Sequence, residues 1–195
     1  MTAAPLREAA RRVVIRAPNW LGDAVLALPA MAALRQHFAH ASLTVAAPAG
    51  VAALFREGTG VRPDTVLVLP ESPREGVRAL REGKFDLGVL FPNSFRSAWM
   101  FRRAGVPERW GIARSARGFL LTRKSDQRLI RRSRVSGEGR HHADYYRALV
   151  RGLGVDCDDG PPMLAASPAS KASAATLLGR QIGRASCRER VLDHV

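Results

Sequence analysis

The chain has 195 residues, 46% hydrophobic and 25% charged, the balance of an ordinary globular protein with room for one domain and the beginning of a second. Its formal net charge of +14 argues against a neutral molecule as sole partner and suits nucleic acid, an anionic membrane surface or a phosphorylated substrate. No window reaches the roughly 20 apolar residues of a membrane span, the apolar run before Arg16 is too short for a secretory signal, and Cys157 and Cys187 form no metal or redox spacing, so a reduced cytosolic compartment is expected. Almost all the positive charge is arginine. That suits bidentate phosphate or carboxylate contacts and equally suits the coding bias of a GC-rich genome.

Residues 1–12 read as a polar lead-in. Val13 to Ile15 reads as a buried strand closed by Pro18, which offers no N–H to a ladder. A helix from about Asp23 to Phe38 opens at Gly22-Asp23 and is apolar nearly all round, hence buried; Pro29 inside it predicts a kink or a break. Ser42 to Ala47 is a second strand, Ala49 to Arg56 a short helix, and Thr65 to Leu69 a third strand rich in β-branched residues. Ser72-Pro73 opens a helix to about Gly83, with Val77 and Leu80 inward. Phe85 to Phe91 is a fourth strand, apolar except for Asp86. Pro92 ends it, and Asn93-Ser94 can cap a helix to about Arg103 that stops at Gly105-Val106-Pro107.

Arg109 to Ala113 reads as a short edge strand. The rest of the segment to Arg134 reads as an exposed loop: from Arg109 on it holds nine Arg/Lys and only Asp126 as an acid. His142 to Leu153 is a helix with Tyr145, Leu149 and Leu153 on one stripe. Val155 to Ser170 has linker composition, and Ser170 to Leu178 starts another helix. Strands and helices alternate with short connections. That order predicts an α/β fold with a Rossmann-like parallel sheet and helices on both faces. Residues 1–154 are expected to form the first domain and 155–180 the linker and the start of another. Residues 181–195, charged and without an apolar face, resemble translated adapter read-through and are expected to be non-native.

In such sheets ligands collect where the first strand hands over to the first helix. Asp23 stands there. It can be a helix cap favoured by the dipole, a general base, or both. Asn19 offers an amide and Trp20 a ring, a pairing that suits a sugar, and Gly22 lets backbone come close to a ligand. The loop Phe91 to Ser97 should open on the same edge, where Asn93, Ser94 and Arg96 are either small-molecule contacts or a plain cap with a solvated arginine. The basic segment from Arg109 could grip phosphates or be a solvated loop. Only Trp110 and Phe119 are available there for base stacking, so nucleic acid is disfavoured. His141-His142 lacks metal spacing, and no metal site is expected. Neither a G-x-G-x-x-G after a strand nor a Walker A loop is present, so no nucleotide cofactor is expected in this part of the chain.

The string Arg16-Ala17-Pro18-Asn19-Trp20-Leu21-Gly22-Asp23-Ala24-Val25, with Leu28-Pro29-Ala30 and Leu34-Arg35 behind it, resembles the first motif of the ADP-heptose-using lipopolysaccharide heptosyltransferases, glycosyltransferase family 9. Phe91 to Ala98 resembles that family's second loop. Gly111, Arg117-Gly118 with Leu120-Leu121-Thr122, and His142-Ala143-Asp144-Tyr145-Tyr146 continue the likeness in order, over roughly Arg11 to Met163. The resemblance implies the N-terminal, acceptor-binding half of a two-domain GT-B glycosyltransferase. Its reaction would carry heptose from ADP-heptose to a phosphorylated heptosyl-Kdo2-lipid A acceptor, with inversion, at the cytoplasmic face of the anionic inner membrane. Asp23 becomes the implied base, and Asn19, Trp20, Gly22, Asn93, Ser94 and Arg96 the implied acceptor contacts. Arg117 and its neighbours, by their local charge, are expected to face the acceptor. ADP-heptose is a donor substrate rather than a cofactor, and the donor domain lies outside this chain. The alternatives are a basic module that binds RNA or anionic membrane, and a related sugar-nucleotide transferase with another acceptor.

Overall fold

The computed structural model describes residues 10–114, 116–126 and 142–181. Two compact units divide the chain, Met1–Leu164 and Ala165–Val195.

The first unit alternates strand and helix: β1 (Arg12–Arg16), α1 (Leu21–His37), β2 (Ser42–Pro48), β3 (Thr65–Leu69), α2 (Pro73–Glu82), β4 (Leu87–Leu90), α3 (Phe95–Arg103), β5 (Glu108–Gly111), β6 (Arg123–Lys124) and α4 (His142–Arg151). A short helix, Ala49–Ala52, and a 3-10 turn, Ala53–Arg56, lie between β2 and β3. The six strands form one parallel sheet in the order β3-β2-β1-β4-β5-β6. The strand order reverses between β1 and β4, so the crevice at their carboxyl ends is the place where such a sheet binds its ligand.

The central strands β1, β2 and β4 are buried on both faces, which is why they are nearly continuous apolar runs. Val13 and Ile15, Leu43 and Val45, and Leu87 and Val89 join one core with α1 and α4. Val14, Ala46 and Leu90 face the opposite core, shared with Val77 and Leu80 of α2 and with Ala98 and Phe101 of α3. Two aspartates pin the amino ends of strands. Asp86 Oδ2 accepts the backbone N–H groups of Arg11 at 2.9 Å and Arg12 at 2.8 Å. Asp64 Oδ2 accepts that of Leu43 at 2.7 Å. The lone acid at the start of β4 is thus a strand clamp.

Four expectations change. α1 runs unbroken through Pro29; with Ala27, Leu28, Ala30 and Met31 buried around it, tertiary packing holds the helix across the missing hydrogen bond. α1 begins at Leu21, with Trp20 as its N-cap residue, so Asp23 sits within the first turn and is not the cap. β5 is not an edge strand, because Trp110 pairs with Arg123 and Gly111 with Lys124. Finally, Arg109 to Lys124 is built structure rather than an exposed loop: Trp110, Leu120 and Leu121 are buried, and the Arg123 guanidinium lies 4.6 Å from the centre of the Trp110 ring. A two-residue basic strand carries no β-branched signal that sequence could show. The remainder of that segment, from Gln127 to Arg134, lies outside the described residues.

At the far end of the unit, Arg147 of α4 donates to Gly160 O at 2.6 Å and pairs with Asp144 at 2.8 Å. Arg151 pairs with Asp159 at 2.9 Å. With Val155 and Cys157 buried, the chain after α4 is fastened down over its first residues. The second unit contains α5 (Pro168–Gln181), where the Ser167 hydroxyl accepts the Ser170 N–H at 3.1 Å. Of the expected non-native tail, residues 181–195, all but Gln181 lie outside the described residues. Among the described residues no helix is long and apolar enough to cross a membrane.

Candidate active site

All six strands point their carboxyl ends the same way, so the loops after β1, β2, β3 and β4 share one edge. A cleft of about 630 Å³ opens there, lined by Arg16 and Asn19 from the first loop, Gly50 after β2, Glu71 after β3, and Ser94 and Arg96 from the fourth. That volume is in the range of small-molecule sites. Asn19, Ser94 and Arg96 are therefore brought together, as the sequence implied.

The first loop is held at its root. Ala17 N–H donates to Ala46 O at 3.0 Å and Arg16 O accepts from Phe91 N–H at 3.2 Å. Beyond it Trp20 is 76% exposed, and Gly22 is exposed too. A Cβ built at Gly22 would meet nothing within 4 Å, so internal packing does not demand glycine at that position. Asp23, part-buried, stands in the first turn of α1, at the positive end of the helix dipole.

Behind Asp23 lies Tyr146 of α4, buried. Burial first, then the Asp23 carboxylate, then Tyr145, push the Tyr146 phenol well above its ordinary value of 10.0. The phenol therefore stays neutral, a proton-bearing group beside the carboxylate. Tyr145 meets the second loop, where its hydroxyl accepts from Asn93 Nδ2. The His142 to Tyr146 string thus meets the second loop through Tyr145 and feels the Asp23 charge at Tyr146.

Arg117 is the main correction. Expected to face an acceptor, it is 0% exposed. Its Nε donates to Ile112 O at 2.9 Å, Nη1 to Pro92 O at 2.5 Å and Ser94 O at 3.2 Å, and Nη2 to Asn93 Oδ1 at 3.4 Å. Burial brings its pKa down to about 10, opposed by Tyr145, so it remains charged at neutral pH. This planar fork ties the second loop to β5. Gly111 leaves room for it, since a Cβ there would lie 3.3 Å from Arg117 Nη2 and 3.2 Å from Leu90 O. Asn93, an expected acceptor contact, likewise turns its amide to Tyr145 and Arg117. Arg109 repeats the pattern, donating to Leu120 O and Val106 O at 2.6 Å each. Within the basic segment Arg109 and Arg117 are therefore braces, while Arg114 is exposed. Ser94 caps α3, accepting Ser97 N–H at 3.2 Å, while its residue as a whole is exposed to the cleft.

Residue-type reasoning alone missed Arg16, Tyr145 and Tyr146. A lone arginine at the end of an apolar strand was the available signal for the first, and the paired tyrosines at the start of α4 for the others.

Residues 74–187 match the family model for glycosyltransferase family 9 (heptosyltransferase). The chain belongs to that family. The matched residues take in the second loop, Arg117 and α4. The family-9 chain is 32% identical over 90 residues to lipooligosaccharide heptosyltransferase 2 of Campylobacter jejuni, covering 44% of this chain and 27% of that protein. It is 29% identical over 106 residues to lipopolysaccharide heptosyltransferase 2 of Escherichia coli, covering 51% of this chain and 30% of that protein. Its fold matches the solved E. coli ADP-heptose LPS heptosyltransferase II with a TM-score of 0.64 at 22% identity, covering 86% of this chain and 50% of that one. The matches therefore take in less than a third of the curated relatives and half of the solved structure. By fold, the parallel sheet is Rossmann-like and matches half of that solved structure.

Proposed function

We propose that this family-9 chain is the acceptor-side half of an inverting transferase that moves heptose from ADP-heptose to a phosphorylated heptosyl-Kdo2-lipid A. In this reading Asp23 is the general base. Its carboxylate takes the proton from an acceptor hydroxyl as that oxygen forms its bond to the anomeric carbon of the donor. The bond from that carbon to the ADP phosphate breaks, and ADP leaves with the electron pair, so the configuration inverts. The leaving charge is met by donors of the other domain. The single observation that carries the reading is the position of Asp23: an acid in the first turn of α1, at the reversal of strand order, beside exposed Asn19 and Trp20. A neutral Tyr146 behind it and open space at Gly22 agree with a sugar hydroxyl approaching from solvent.

The reading places the protein at the cytoplasmic face of the inner membrane, as a peripheral enzyme whose net charge of +14 is attracted to anionic lipid. ADP-heptose enters as donor substrate, with no cofactor or metal required of this half. Titration of the chain with the Kdo-lipid A acceptor in detergent, with ADP-heptose, and with a single-stranded RNA tests it. The expected result is saturable binding of the acceptor alone and no heptose transfer by this chain in isolation. Binding of RNA without the acceptor would overturn the reading in favour of a basic binding module.

A further inference from the structure

The cleft contains two guanidiniums that the base mechanism does not use. Arg16 is part-buried at the end of β1, and its donors reach Ala17 O and Asn19 Oδ1, each at 2.5 Å. Arg96, exposed on the first turn of α3, donates to Glu71 O. Both are therefore held by neutral oxygens. Among the described residues no ion pair joins either to a carboxylate; the pairs there are Arg35–Asp64, Arg78–Glu82, Arg147–Asp144 and Arg151–Asp159. An arginine has five N–H donors, so most of the donors of this pair remain for a ligand.

Arg16 and Arg96 come from different strand-end loops and line the same cleft of about 630 Å³. Two like charges converging in a partly desolvated space repel one another unless an anion lies between them. Burial, and after it the Arg96 charge, lower the Arg16 pKa to about 10, which leaves it charged at neutral pH. The Ser94 cap and the start of α3, a nine-residue helix, add a partial positive charge at the same wall. Glu71 is the single acid among the lining residues. It is exposed, so water and salt screen its repulsion.

We infer that Arg16 and Arg96 form a subsite for a compact oxyanion carried by the acceptor, a phosphate monoester or a carboxylate. The paired forks match the oxygens of such a group bidentately. Held there, the anion fixes which acceptor hydroxyl reaches the first turn of α1, so the pair sets acceptor choice rather than chemistry. The inference rests on the acceptor-side reading above and narrows it to one chemical feature of the substrate.

Calorimetric titration of the 195-residue chain with inorganic phosphate, and separately with acetate, tests the subsite. Wild type, Arg16→Gln, Arg96→Gln and, as control, the exposed Arg78→Gln are compared at fixed ionic strength. Saturable binding is expected, weakened about tenfold or more in each cleft variant and unchanged in the control. Preference for phosphate identifies a phosphate monoester as the acceptor's anion, and preference for acetate a carboxylate. Should Arg16→Gln fail to fold, exposed Arg96→Gln still decides. Equal binding by Arg96→Gln and wild type, or saturation by neither anion, would overturn the inference. Such a failure leaves the proposed function standing, since acceptor binding and the base at Asp23 are measured separately. Anion binding without acceptor binding would count against the function and not against the subsite.

Discussion

At the scale of single residues, the site is a set of hydrogen-bonded braces around a few exposed groups. Arg117 reaches three backbone carbonyls from full burial, so Arg117→Met leaves them without donors and should lower unfolding free energy by about 1–3 kcal/mol. Urea denaturation reads this directly. Lysine should rescue little, since it lacks the planar fork. Tyr146 makes a second prediction. Its phenol is pushed up by burial and then by Asp23, so in Tyr145→Phe, which leaves it the only tyrosine of the two in the chain, tyrosinate absorbance should not develop around pH 10 while the protein is folded. Asp23→Asn should lower that transition. Because the folded value is raised, the stabilising contribution of this group is complete below pH 10 and declines as pH rises beyond it. The residue types at Asn19, Ser94 and Arg96 were enough to place these three at one cleft. Arg117 was misread because local charge says nothing about burial: a cation in a basic segment looks solvated until the carbonyls that surround it are known.

At the scale of elements, sequence patterning was a good guide wherever one element explains itself. β1 through β4 are apolar runs bounded by proline or polar turns, and α2 shows its inward Val77 and Leu80 by spacing alone. The C-terminal stop of α3 is visible as Gly105, which adopts φ +85, a conformation costly for a side-chain-bearing residue. What patterning could not supply were features made by two elements at once. The continuity of α1 across Pro29 depends on the core around it, and β6 exists because β5 offers it an edge. The junction of β6 with α4 is another such feature. Ser125 Oγ donates to Leu149 O at 2.8 Å, and Asp126 N–H donates to Gly152 O at 3.1 Å. A Cβ on Gly152 would come within 2.2 Å of Ser125 Oγ and 2.7 Å of Asp126 N. Gly152→Ala should therefore cost about 1–3 kcal/mol through overpacking, seen as a fall of several degrees in melting temperature.

At the scale of the molecule, a six-stranded parallel sheet with its order reversed between β1 and β4 places four strand-end loops on one edge. That placement turns two distant strings, Pro18 to Asp23 and Pro92 to Arg96, into one cleft, with Tyr145 and Tyr146 of α4 behind them. Alternation of strand and helix in the sequence was sufficient to predict the edge, whereas the order of strands that selects its centre became visible only in three dimensions. The excess of basic charge also divides at this scale. Some of it, at Arg109, Arg117 and Arg123, stabilises the sheet's last strands, and some, at Arg16 and Arg96, faces the cleft. The central claim is that Asp23 removes a proton from the acceptor. It is tested most directly by the rate of heptose transfer from ADP-heptose in the two-domain protein that the proposed function requires, carrying Asp23→Asn. The account predicts a fall in kcat of about 10²–10⁴-fold with unchanged melting temperature; transfer at the wild-type rate would contradict it.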